Sequence, residues 1–441
     1  MSLALFTDLY ELTMLRAYWE LEHDGEAVFS LFVRRLPQGR NYLIACGLED
    51  LIDELQNLRF GEDDLAYLAT QGFPQPILDR LESFRFTGDV HALPEGTPFF
   101  ANEPILEVVA PIAEAQLIET LVLNQIGFPT IIASKAARVV EAAEGHAVID
   151  FGGRRAHGLD AAVKAARAAY IAGAAATSSV LAGKTYGIPI AGTMAHSFVQ
   201  AYRSEADAFR AFTEIYPDTV LLVDTYDTLD GVRKVIALAR ELGERFKVRA
   251  VRLDSGDLRQ LSRDARKLLD EAGLERVEIF ASGGLNEGKI GALLEGGARI
   301  DGFGVGTDLV VSTDAPALDI AYKLTEYGGS GRMKLSTAKK SLPGRKQVFR
   351  ELRDGLVARD VIARHDEALA GTPLLRQVMR DGARLAPAEP VSQIQARCRK
   401  EISRLSSELR ALTPAAHPFE AEISPALEAF AGEVAKDVAG R

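Results

Sequence analysis

The amino-acid sequence predicts an α/β protein whose middle third is a parallel (β/α) barrel, and three observations carry that prediction. Short apolar strands end at Asp150 (HAVID), Ser178 (AAATS), Thr193 (IPIAGT), Asp224 (TVLLVD), Asp254 (VRAVRLD), Ser282 (VEIFAS) and Gly304 (IDGFG). Apart from the short gap between 178 and 193, these ends recur about every 22 to 31 residues, the length of one βα unit. Helical stretches such as DAAVKAARAAYIAGA and LRQLSRDARKLLDEAG lie between most of them. Polar residues or glycine close nearly every strand. That suits a barrel, whose chemistry gathers at the C-terminal rim, better than a doubly wound sheet with a single switch point, which is the alternative.

The flanks read differently. Residues 1–128 alternate a helix (DLYELTMLRAYWELE), a strand (EAVFSLFVRR), a helix (LIACGLEDLIDELQNL) and short strands in GDVHALPEGTPFFANEPILEVVAP, with a turn at Pro94–Gly96. The helical AEAQLIETLVLNQIGF then leads into a second region, 129–314, that begins near Pro129. Residues 315–441 start with strand-like DIAYKLTEY, GRMKLS and KQVFREL and end in a helix around EPVSQIQARCRKEISRLSSELRAL and a polar tail. Between them, STAKKSLPGRK reads as a solvated turn, or as a basic loop over an anionic ligand.

Composition narrows the function classes. A net charge of −11 argues against a nucleic-acid surface but not against small anions, which need only local cations. No apolar run approaches the roughly 20 residues that span a bilayer, and MSLALFTDLYELT lacks a basic, apolar leader, so a cytoplasmic protein is expected. Two cysteines, Cys46 and Cys398, exclude a disulfide framework and an all-cysteine zinc site.

The strand ends carry the chemistry. Thr193-Met-Ala-His196-Ser197 presents one of only seven histidines just beyond a strand. Asp150-Phe151-Gly-Gly-Arg154-Arg155 offers an aromatic face beside two guanidinium groups, which bind carboxylates or phosphates bidentately. Arg252 and Asp254 lie two apart on one strand, hence on one face, and are too polar for core filler. Two glycine-bearing turns, Ser282-Gly283-Gly284-Leu285-Asn286 and Gly302-Phe-Gly304-Val-Gly306-Thr307-Asp308, each follow a strand and precede a helix, where free backbone N–H groups suit a phosphate. These features predict an enzyme for a phosphorylated sugar and a planar anion.

In combination, TDLYELTM, YLIACGLEDLI, FGGRRAHGLDAA, SSVLAGKTYGIPIAGTMAHSF, LLVDTYDT, VRLDSGDL, GVGTDLV and GRKQVFR resemble the nicotinate phosphoribosyltransferase family, the ATP-coupled type II phosphoribosyltransferases of NAD salvage. The resemblance covers about residues 7 to 350 and, more loosely, GTPLLRQVMRDG. It implies an irregular (β/α) barrel with an N-terminal α/β domain and C-terminal segments packing back on it, in a homodimer with shared active sites. It further implies that Tyr10 and Phe151 sandwich nicotinate and that Arg154, Thr193 and Arg252 surround its carboxylate. His196 would take a phosphoryl group from the co-substrate ATP, oriented by Asp224, with Asp254 also catalytic. Gly283, Gly284, Gly306 and Thr307 would hold the ribose phosphate. Magnesium would neutralise the leaving pyrophosphate of phosphoribosyl pyrophosphate; its ligands are not given, beyond Asp254 through water. The cysteine-rich zinc knuckle of some members is absent. Three rivals are nicotinamide and quinolinate phosphoribosyltransferases, which share the fold, and a catalytically silent binding barrel. Hydroxyls at Thr177-Ser178-Ser179, where the nicotinamide enzymes carry an acid, favour a carboxylate substrate.

Overall fold

The computed structural model describes residues 3–335 and 341–440. Most of the basic half of STAKKSLPGRK, residues 336–340, lies outside them. The chain falls into two compact units, one of residues 1–131 with 317–441 and the other of residues 132–316.

The first unit is built on a seven-stranded antiparallel sheet with Glu26–Val33 as an inner, central strand beside the middle one, Pro104–Pro111. Glu26–Val33 pairs on one side with Pro104–Pro111 (Leu31 opposite Leu106) and on the other with Ile320–Tyr327 (Leu31 opposite Tyr322). The C-terminal segment thus completes a sheet begun at the N-terminus. Seven of the eight central-strand residues are buried, as expected for a strand covered on both faces. A second sheet pairs Lys346–Arg353 with Leu356–Arg364.

Several expectations fail here for local reasons. The predicted helix LIACGLEDLIDELQNL is a short strand, Leu43–Ile44, followed by a helix only at Leu48–Asn57. Gly47, at φ +99°, breaks the two apart. The helix read as ending before Pro129 runs from Glu119 to Ala142 with the proline inside it. Pro129 cannot donate to the carbonyl of Gln125, and Gly47 lies so close to that oxygen that a Cβ there would sit 2.0 Å away. The GRMKLS stretch contributes only Ser330–Gly331 to a strand. Helices at Glu62–Thr70 and Gln75–Glu82 had not been anticipated, and the polar tail holds a further helix, Pro425–Ala439.

The second unit carries a six-stranded parallel sheet: β1 (Ala147–Asp150), β2 (Ala176–Thr177), β3 (Val220–Leu222), β4 (Ala250–Leu253), β5 (Glu278–Ala281) and β6 (Gly302–Val305). Their order is β2-β1-β6-β5-β4-β3. The seventh expected strand, Ile188–Thr193, joins only through a parallel bridge from Ile190 to Thr177. Among the described residues no pairing links that segment to β3, so the parallel sheet forms a half-barrel rather than a closed ring. Pro189 fits this, since it has no N–H for a ladder. No described helix is long and apolar enough to cross a membrane.

Candidate active site

Parallel strands aim their C-terminal ends the same way, so the residues that follow them share one rim. At the end of β1, Asp150 is 2% exposed and accepts from the Gly152 amide (2.8 Å) and the Thr177 hydroxyl (2.8 Å). Burial pushes its carboxyl up, and the two hydrogen bonds oppose that shift. The Phe151 ring packs against Gly304, where a Cβ would approach it to 2.5 Å. The Arg252 guanidinium sits 5.3 Å from the same ring's centroid, a cation–π distance.

Arg252 is fixed by three side chains. Its Nε donates to Ser282 Oγ (2.8 Å), and its terminal nitrogens donate to Thr193 Oγ1 (2.8 Å) and Asp254 Oδ1 (2.7 Å). Burial alone would raise the Asp254 carboxyl. The Ser282 and Arg252 hydrogen bonds and the adjacent cation outweigh it and hold the group below the usual carboxylate range.

His196 opens the short helix His196–Gln200, with its side chain 41% exposed. Its Nδ1 lies 3.1 Å from Thr225 Oγ1, while Nε2 stands 4.0 Å from Asp224 Oδ1 and 3.9 Å from Asp254 Oδ2. The direct hydrogen bond from His196 to Asp224 that the resemblance implied is therefore not formed. The other Asp224 oxygen is occupied by the Asp254 amide (2.9 Å) and the Ser255 hydroxyl (2.6 Å). Oδ1 is buried and has no hydrogen-bond partner.

Both glycine turns stand at this rim. Gly283 and Gly284 have φ of +95° and +61°, and a Cβ on Gly283 would lie 2.0 Å from the Asp254 carbonyl. Gly306 precedes the helical turn Thr307–Val310, and Gly283, Gly284 and Thr307 are exposed.

One group of predicted residues thus converges: Phe151, Thr193, His196, Asp224, Arg252 and Asp254. Arg154 and Arg155 are exposed on the turn Gly153–Arg155. Tyr10 belongs to the other unit, 47% exposed at the start of the helix Leu9–Glu20. Burial, followed by the nearby Glu119 and Glu11 carboxylates, pushes its phenol up. Two of the three hydroxyls offered as specificity determinants have structural work: Thr177 binds Asp150, and Ser179 caps the helix Val180–Tyr186. Sequence reasoning missed Thr225 and Ser282 as site residues, although both stand at the predicted strand ends. A cavity of about 1020 Å³ in the other unit, lined by Arg34, Arg40, Phe419 and others, contains none of these groups.

Comparison with known proteins fits this arrangement. Residues 5–127 match the family model of the nicotinate phosphoribosyltransferase N-terminal domain, and residues 132–323 that of the quinolinate phosphoribosyl transferase C-terminal domain. A nicotinate phosphoribosyltransferase of Mycobacterium tuberculosis is 55% identical over 98% of this chain and 93% of its own length. The chain belongs to the nicotinate phosphoribosyltransferase family. A second such relative, from Bacillus subtilis, is 45% identical over 85% of this chain and 79% of its own. The crystal structure of human nicotinic acid phosphoribosyltransferase superposes with a TM-score of 0.88 at 28% identity, covering 97% of this chain and 99% of that one. Nicotinate-nucleotide pyrophosphorylase from Pyrococcus furiosus superposes at 0.74 and 25% identity, over 90% and 94% of the two chains.

Proposed function

We propose that this chain transfers the phosphoribosyl group of phosphoribosyl pyrophosphate to the ring nitrogen of nicotinate. The products are nicotinate mononucleotide and pyrophosphate, the first step of NAD salvage from nicotinate. Transfer is coupled to ATP hydrolysis through a phosphohistidine at His196. The observation that carries the reading is the exposed His196 ring set about 4 Å from two carboxylates, Asp224 and Asp254, on the rim that bears Arg252 and Phe151.

The pyridine nitrogen attacks C1 of the ribose as pyrophosphate leaves, through an oxocarbenium-like state. Its lone pair is free, so no base is needed. Arg252 and Arg154 hold the nicotinate carboxylate, with Thr193, which accepts from Arg252 at 2.8 Å, at its side. Phe151 covers one face of the ring, and Tyr10 of the partner subunit covers the other. In this reading the protein is a homodimer with shared active sites. The γ-phosphoryl group of ATP moves to a ring nitrogen of His196 as ADP departs. Hydrolysis of the N–P bond then releases phosphate and draws the equilibrium toward product.

The donor set fits magnesium. Asp224 Oδ1 is a buried carboxylate oxygen without a protein partner, Asp254 offers a second hard oxygen, and magnesium is commonly held by one or two carboxylates plus substrate phosphates and water. Asp254 would hold it through water, and the ion would neutralise the departing diphosphate. The two buried free cysteines suit the reducing cytoplasm.

Incubation with γ-labelled ATP should give an acid-labile, base-stable label on the protein that His196→Asn abolishes, leaving a residual ATP-independent transfer. Absence of label on the wild-type protein would remove the coupled mechanism. The match of residues 132–323 to the quinolinate enzyme supports one rival reading. Pyrophosphate release should depend on nicotinate and rise with ATP; release with quinolinate, accompanied by carbon dioxide, would favour the rival.

A further inference from the structure

We infer that Asn286 and Asp308 form a side-chain buckle that fixes the spacing of the two glycine turns and thereby sets the affinity for phosphoribosyl pyrophosphate. The inference rests on the assignment of Gly283–Gly284 and Gly306–Thr307 to the ribose phosphate. The turns follow β5 and β6, whose ladder pairs Phe280 with Gly302 and Ala281 with Phe303 and goes no further. Beyond the ladder, a side-chain bond takes over. Asn286 Nδ2 donates to Asp308 Oδ2 at 2.8 Å, while Asn286 Oδ1 accepts from the Lys289 amide at 3.0 Å and caps the helix Glu287–Glu295. The remaining Asp308 oxygen accepts from Thr313 Oγ1 at 2.7 Å.

A carboxylate one residue from a phosphate-binding amide would repel a dianion if it were free to turn. Here both of its oxygens are held by donors on the protein. A second tie runs beneath. Lys135, 3% exposed, pairs with Glu287 just after the first turn (2.6 Å) and with Asp314 just after the second (2.8 Å). N–H groups from two separate turns bind one phosphate well only if their separation is fixed, because small displacements cost affinity steeply. Asn286 and Asp308 are therefore positioning residues.

The test is steady-state kinetics on four variants of the full-length protein. Asn286→Ser keeps a good helix cap but is too short to reach Asp308. It should raise KM for phosphoribosyl pyrophosphate about tenfold, the size of one charge-assisted hydrogen bond, and leave KM for nicotinate within about twofold. Asn286→Asp should be worse, because it sets two carboxylates face to face. Combining it with Asp308→Asn rebuilds the pair with donor and acceptor exchanged and should restore KM to within about threefold. Unchanged KM in Asn286→Ser, equal rises in both KM values, or no rescue by the exchange overturns the buckle. Thr307→Pro, which deletes the amide at the first helical position, where proline is tolerated, separates the two levels of the argument. If it raises KM for phosphoribosyl pyrophosphate while Asn286→Ser does not, only the buckle falls. If neither variant moves it, the phosphate assignment falls as well.

Discussion

The sheet interior of the first unit and the strand-end rim of the second treat buried charge differently. In the first, charged groups inside the sheets are paired with opposite charges, although Arg350 Nη1 and Glu103 Oε1 keep no hydrogen-bond partner. Lys346 lies 3.1 Å from Glu107, which also accepts from Ser30, and Arg350 meets Asp360 through paired hydrogen bonds, with all four charged side chains nearly inaccessible. Burial, then the neighbouring Asp360 carboxylate, pushes the Glu103 carboxyl well above the usual range. In the second unit the strand-end groups are held in place but not completed. Asp224 keeps a buried oxygen without a partner, and the His196 Nε2 stands near two carboxylates without a hydrogen bond to either. Polar groups that complete one another stabilise a fold, whereas groups fixed yet incomplete are available to a substrate.

The largest expected effect comes from breaking a completed pair. Arg350→Met leaves Asp360 buried without its cation and should cost about 3–5 kcal/mol of stability, read as a fall in Tm, while KM values in the surviving folded enzyme stay unchanged. A loss of activity at unchanged Tm would erase the distinction between the units. Next, Arg252→Ala should lower kcat/KM for nicotinate about 100-fold, corresponding to about 2–3 kcal/mol of lost charge-assisted binding. Its Tm should stay near that of the parent, because Arg252 serves the rim. Severe destabilisation by Arg252→Ala would place it with the structural pairs.

The smallest effect sharpens the comparison through pH. Burial, then the Arg345 charge, lowers the His91 pKa to about 4 and keeps the ring neutral to accept from that guanidinium. In the unfolded chain the ring titrates near pH ~6.5, so between about 6.5 and 4 the unfolded state binds a proton that the folded state refuses. The stability is present above about 6.5 and lost as pH falls toward 4. With solvent screening of the partly exposed ring, the loss is about 1 kcal/mol. Tm of His91→Gln should fall less over this range than that of the parent; parallel pH profiles would dismiss the effect.

The sequence made the second unit more legible than the first. In a parallel βα array the strands are short, apolar and evenly spaced, and their ends are marked by Asp, Ser or Gly; six of the seven expected strands are present in the sheet. The seventh was apolar enough but carries Pro189 and is reduced to one bridge. In the first unit, by contrast, the central strand draws its partners from residues 104–111 and 320–327, and no local pattern announces a pairing across some 300 positions. Pro129 was read as a boundary because proline usually ends helices, yet here the approach of Gly47 accommodates the disrupted turn. At the site, residue types that carry chemistry stood out, whereas Thr225 and Ser282 did not. Hydroxyls are common at strand ends, and only the fold shows which of them meet His196 and Arg252.

The unclosed side of the parallel sheet bears on the motion of the residue at the centre of the proposed chemistry. Ile190 is tied to Thr177, but the stretch from Ala191 to Ala195 enters no named strand, and it delivers His196 to the rim. Backbone secured along one side opens at lower free energy than backbone locked between two neighbours. The imidazole thus follows backbone paired on one side only, while Arg252 and Asp254 stand at the end of a strand paired on both sides.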